Sequence, residues 1–101
     1  MSASSEAVPV PGDSAVEKAV VLAADLHARP AGQVTRAAVA SGAPVWLTSS
    51  NRAEVDARSV LAVMSLGAVA GDTVRVRATG PGAAAAVRAV AAVLAAAEPA
   101  D

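Results

Sequence analysis

From Glu17 to Ala23 apolar residues crowd together behind a polar start, with Val the commonest strand-forming type. A short apolar run of this kind predicts a strand. Ala24-Asp25 then turns the chain, and from Ala28 to Ser41 the period lengthens. Ala31, Val34, Ala38 and Ser41 recur at helical spacing and form one narrow face of small residues, while Gln33 and Arg36 can point to water. Such a face lets a helix lie close on a sheet. Gly42 follows, the residue type that most readily takes the left-handed conformation ending a helix. Pro44 to Ser49 returns to strand-favouring residues, with Trp46 expected in core or edge packing. Ser50-Asn51-Arg52 makes a turn whose type the Asn-Arg pair leaves open, and Ala53 to Ala57 makes a short third strand.

Ser59 stands directly before an apolar run, the place of a helix N-cap, and the helix it opens is short, ending at Gly67. Val60, Leu61 and Met64 share one side of it; periodicity alone does not decide whether that side meets core or solvent. After a turn at Ala70-Gly71-Asp72, the residues from Thr73 to Thr79 alternate. Val74, Val76 and Ala78 fall on one side, Thr73, Arg75, Arg77 and Thr79 on the other, which predicts a half-buried strand with a solvated face. Gly80-Pro81-Gly82 lacks the Lys-Ser/Thr ending of a phosphate loop, so its role is to break the strand and start a helix. That last helix runs from Ala83 to Ala97, with Val87, Val90, Ala91 and Leu94 as the buried stripe and Arg88 facing away. The order is β-α-β-β-α-β-α. It predicts an α+β open-faced sandwich, a four-stranded antiparallel sheet covered on one face by three helices.

A chain of 101 residues has room for one domain. Residues 1–15 are dominated by Ser, Ala, Pro and Gly without an apolar period and are expected to be a flexible N-terminal tail, leaving 16–98 as the domain. Hydrophobic residues make up 54% of the chain but aromatics only 1%, so the core must be built from Val, Leu and Ala. A net charge of −1 and the lack of a Lys/Arg run argue against nucleic acid as a partner. There is no cysteine for a disulfide, no evident metal-ligand cluster and no second histidine, so neither a metal nor another cofactor is expected. No apolar run reaches the roughly 18 residues of a membrane span. The N-terminus also lacks the pattern of a signal peptide, and a soluble, cytoplasmic monomer without direct membrane insertion is expected.

The chemistry concentrates at Leu26-His27-Ala28-Arg29-Pro30-Ala31. Proline is favoured in the first turn of a helix, where its missing N–H needs no partner. His27 therefore falls at or just before a helix N-terminus, with Ala28 and Pro30 inside it. Backbone N–H groups point outward there, and the positive end of the helix dipole favours anions. Arg29 adds a planar, permanently charged group suited to phosphate oxygens. One titratable nucleophile is thus set beside an oxyanion site.

The segment Leu26–Ala31 resembles the active-site signature of HPr, the histidine-containing phosphocarrier family of the bacterial sugar phosphotransferase system. A second block, Arg58-Ser59-Val60-Leu61-Ala62-Val63-Met64-Ser65-Leu66-Gly67, resembles the segment around the regulatory serine of that family, and the likeness spans about Glu17 to Ala97. The resemblance implies the open-faced fold already read from the pattern. It implies a carrier with a phosphohistidine intermediate rather than a stand-alone enzyme. His27 would accept a phosphoryl group at Nδ1 from phosphorylated enzyme I and pass it to enzyme IIA domains, with Arg29 stabilising the phosphate. It further implies that Ser59 is a candidate for regulatory phosphorylation by HPr kinase, with a plain N-cap as the alternative, and that Val60, Leu61 and Met64 form an exposed patch for partner proteins. A second function class is an HPr-like regulatory or specialised carrier module, serving nitrogen-linked signalling or dihydroxyacetone phosphorylation mainly through protein binding. Asp25 departs from the family, whose members usually carry Gly there. Asp reaches left-handed torsions only at some cost, and it sets a carboxylate two residues from His27, facing the site or away from it.

Overall fold

The computed structural model describes residues 15–50 and 52–96. Residues 1–14 of the tail expected at 1–15, Asn51 of the predicted turn and residues 97–101 lie outside the described residues, while Ala15, the last residue of that expected tail, belongs to the first strand. The element order is β1 (Ala15–Val21), α1 (Ala28–Ser41), β2 (Val45–Ser49), β3 (Val55–Asp56), α2 (Val60–Ser65), β4 (Thr73–Thr79) and α3 (Ala83–Ala96). The strands form one antiparallel sheet in the order β1-β4-β2-β3. Val20, Val45, Leu47, Val74, Val76 and Ala78 are buried on the face that the helices cover. The alternation read in β4 therefore translates directly into an inner and an outer face of the sheet.

α3 lies over β1, β4 and β2, α1 packs beside α3, and α2 packs beside α1 and β3. The small face of α1 turns inward as Ala31, Val34 and Ala38, all buried. Its close approach is chiefly to α3 and α2 rather than to the sheet. α3 answers with Ala86, Val87, Val90, Ala91 and Leu94. Gly42 closes α1 at φ 74°, with its N–H donating to the Val39 carbonyl at 3.1 Å. A side chain there would sit in a strained backbone region.

Strand ends differ from the pattern. β1 opens at Ala15 and leaves its ladder after Val21, not at Ala23. The reason is a local change of partner: Leu22 N–H still donates to Asp72 at 2.8 Å, but the Leu22 carbonyl takes the Gly71 N–H instead, at 2.9 Å. β3 keeps only two of the five residues expected. Ala57 N–H still reaches the Val45 carbonyl at 2.9 Å, but the next amide, of Arg58, is taken by the Asp56 carboxylate at 2.8 Å. That side-chain turn diverts the chain into α2.

On the open face Trp46 pairs across the sheet with Arg77, whose guanidinium lies 4.4 Å from the indole centroid. Glu54 holds the same guanidinium through two bonds, Nε–Oε2 at 2.8 Å and Nη2–Oε1 at 2.9 Å. Trp46 is thus packed half-buried beneath a cation outside the core, and the core holds no aromatic among the described residues.

Candidate functional site

The site begins with how the chain reaches His27. From Leu22 to Leu26 burial alternates: Leu22, Ala24 and Leu26 point in, Ala23 and Asp25 out. Leu26 N–H donates to the Ala68 carbonyl at 3.0 Å, so the residue before His27 is held by both its side chain and its backbone. His27 is the N-cap of α1, extended at φ −87° and ψ −168°. Its carbonyl accepts the Ala31 N–H at 3.0 Å, the first bond of the helix.

The His27 side chain makes no cap bond to the helix. Its ring is half-exposed and makes no hydrogen bond among the described residues. The amides of Ala28 and Arg29 also have no acceptor among the described residues, and Pro30 has no N–H to offer. A histidine that does not cap therefore leaves this helix end open to an outside acceptor. Arg29 is exposed and forms no ion pair among the described residues. It lines a depression of about 280 Å³ together with Pro30, Gln33 and Ala96. Four predicted residues, His27, Ala28, Arg29 and Pro30, thus meet at one helix end. The geometry can hold an anion with tetrahedral oxygens beside a ring nitrogen.

Gln33 and Ala96 were not singled out by sequence. Gln33 is one turn from Arg29, so helical spacing alone could have found it. Ala96 arrives from the far end of the chain and carries no local signal.

Ser59, Val60, Leu61 and Met64 lie together on α2, beside α1. Ser59 is the N-cap, its hydroxyl accepting the Ala62 N–H at 3.1 Å. The three apolar residues do not share one environment. Leu61 is 78% exposed and Val60 36%, while Met64 is half-buried and packed against the core, with Val63 as the buried anchor of the helix. Just upstream, Arg58 grips Asp56 at 3.1 Å. The side-chain bond from Arg58, then the backbone bond from the same residue, hold the Asp56 carboxyl below its usual range. Val39 and Val69 are further exposed apolar side chains that the pattern did not mark.

Asp25 takes no left-handed torsion: among the described non-glycine residues only Ser50 does, at φ 51°. Its carboxylate turns to the neighbouring loop and accepts the Ala70 N–H at 2.8 Å.

Comparison with known proteins matches residues 16–96 to the family model described as PTS HPr component phosphorylation site. The phosphocarrier protein HPr of Streptomyces coelicolor is 44% identical over 62 residues, 61% of this chain and 67% of that protein. A phosphocarrier protein HPr from Bacillus anthracis superposes with a TM-score of 0.73 at 29% identity, covering 80% of this chain and 98% of the other. HPr-C-His from Thermoanaerobacter tengcongensis gives 0.68 at 27% identity, covering 80% and 90%.

Proposed function

The chain belongs to the HPr family of phosphotransferase-system phosphocarriers, and from that premise we propose that His27 accepts a phosphoryl group from phosphorylated enzyme I and passes it to enzyme IIA domains. One observation carries the reading: an unbonded, half-exposed imidazole stands at the N-cap position of a helix whose Ala28 and Arg29 amides lack an acceptor among the described residues.

In the first step Nδ1 of His27 attacks phosphorus. The bond from phosphorus to the donor's imidazole nitrogen breaks, and that ring leaves with the bonding pair and takes up a proton. The Ala28 and Arg29 amides would face the oxygens on which charge spreads, and being fixed by the helix they need little rearrangement, while the exposed Arg29 guanidinium would swing in to join them. In the second step His27 is itself the leaving group, keeping the electron pair as the acceptor's nucleophile takes the phosphorus. Imidazole suits both steps, since it is a fair nucleophile when neutral and leaves readily when protonated. Two amides and one exposed cation give moderate stabilisation, which a carrier needs if it is to release its load.

The same reading gives Val60, Leu61 and the half-exposed Met64 the role of a docking patch and Ser59 that of a site for HPr kinase. A phosphate on Ser59 would sit at the N-terminus of α2, where the helix tolerates it, and beside the apolar patch, where it would disturb docking. The reading places the protein in the cytoplasm as a monomer; among the described residues no helix is long and apolar enough to cross a membrane.

Incubation with phosphoenolpyruvate and enzyme I, followed by intact-mass analysis, tests the assignment. Wild type should gain one acid-labile phosphate and His27→Ala none. Label that persists in His27→Ala would overturn it.

A further inference from the structure

We propose that Asp25 is a positioning residue for His27, acting through the Ala70 amide; the inference rests on the carrier reading above. The segment 22–26, which delivers His27, runs along the loop 68–72 and is tied to it at both ends by backbone bonds. Leu22 exchanges bonds with Asp72 and Gly71 at 2.8 and 2.9 Å, and Leu26 donates to Ala68 at 3.0 Å. Between these anchors Ala24 is buried while Ala23 and Asp25 are exposed, and among the described residues no backbone bond ties residues 23–25 to the loop. The Asp25 carboxylate closes that gap by accepting the Ala70 N–H at 2.8 Å, across 45 residues of sequence. It is the only side-chain bond among the described residues that joins the His27 segment to the loop.

The loop is itself braced. The Asp72 carboxylate accepts the Val69 N–H at 3.0 Å, so Asp25 grips a preorganised turn and not a loose one. A charge-assisted bond of this length is about twice as strong as a neutral one. Without it the stretch between Leu22 and Leu26 gains freedom. That freedom begins two residues from the N-cap and reaches it through Leu26, whose one backbone bond to Ala68 then carries alone the hold of the loop on the backbone that aims the imidazole at the Ala28 and Arg29 amides. The bond also fixes the carboxylate on the Ala70 side, giving its negative charge a set place relative to an incoming phosphoryl group.

The chemical donor phosphoramidate separates this from partner docking. Its P–N bond breaks, ammonia leaves and an Nδ1–P bond forms on His27, with no protein partner involved. The loading rate is measured for wild type, Asp25→Asn, Asp25→Ala and Asp25→Gly, each first checked for cooperative unfolding. Asp25→Asn keeps an acceptor oxygen for Ala70 and should match or exceed wild type. Asp25→Ala and Asp25→Gly, which delete the acceptor, should load slower by about threefold or more, a fraction of the roughly hundredfold that a misplacement of about 1 Å can cost. The second deletion keeps the test open if the first does not fold. A repulsive role would instead speed all three variants and a favourable charge effect would slow all three, so slow Asp25→Ala and Asp25→Gly beside an unimpaired Asp25→Asn is the pattern that positioning alone gives. Equal rates in wild type and both deletions, or Asn behaving like Ala, overturns the positioning role alone. A wild type that takes no phosphate at His27 overturns it together with the carrier reading.

Discussion

Replacing Ser59 by alanine removes the oxygen that accepts the Ala62 N–H at 3.1 Å. α2 has six residues, and Val63 is its one buried side chain. The cap is therefore a large share of what fixes this helix. N-cap losses cost about 1 kcal/mol, and the exposed position of Ser59 lets water replace part of the bond, so about 1 kcal/mol is the expected ceiling here. For a domain of this size that corresponds to a fall in Tm of about 4–8 °C. Ser59→Asp behaves differently. Aspartate caps as well as serine, and its charge meets the positive end of the helix, so stability should stay within about 0.5 kcal/mol of wild type. The same charge lies next to Val60 and Leu61, so transfer from enzyme I should slow although the fold is intact. Thermal unfolding of the three proteins, with phosphotransfer rates alongside, separates the effects. A Ser59→Ala protein that melts with wild type, or a Ser59→Asp protein that melts as low as Ser59→Ala, would refute the capping argument. A Ser59→Asp protein that accepts phosphate at the wild-type rate would remove the regulatory one.

Leu94 is fully buried in a core without aromatics, so Leu94→Ala should cost roughly 2–5 kcal/mol in urea unfolding, at the upper end if α3 cannot collapse onto the cavity. Leu61→Ala, at a side chain 78% exposed, should leave stability within about 0.5 kcal/mol but raise the KM for transfer from enzyme I. The Arg77 side-chain bond, opposed by some burial and aided by charge attraction, holds the Glu54 carboxyl below its usual range. That contribution is complete above the ordinary glutamate value of about 4.3 and is lost as pH falls through the lower folded value. Glu54→Gln should therefore flatten the acid limb of a Tm-versus-pH curve, modestly because the pair is partly exposed to solvent, and an unchanged limb would count against the linkage.

Periodicity made α1, β4 and α3 legible, because each is long enough to repeat its buried face, as in Val74, Val76 and Ala78. Strand ends were not, because distant or side-chain partners set them. The Gly71 amide ends β1 and the Asp56 carboxylate ends β3, and neither interaction has a period. α2 was ambiguous for another reason. Its five apolar residues leave no polar face to orient it, and only packing separates buried Val63 from exposed Leu61. The His27 segment could be read because Pro30 and the small-residue run announce a helix start locally. The direction of Asp25 could not, since its partner Ala70 is remote in sequence.

The central claim is that the Ala28 and Arg29 amides receive the phosphate carried by His27. Amide proton spectra of the nitrogen-labelled protein, recorded before and after phosphorylation, test it most directly. The account predicts large downfield movement of the Ala28 and Arg29 signals, reversed when the phosphate is removed by acid. Phosphorylated protein in which those two signals stay in place while amides elsewhere move would contradict it.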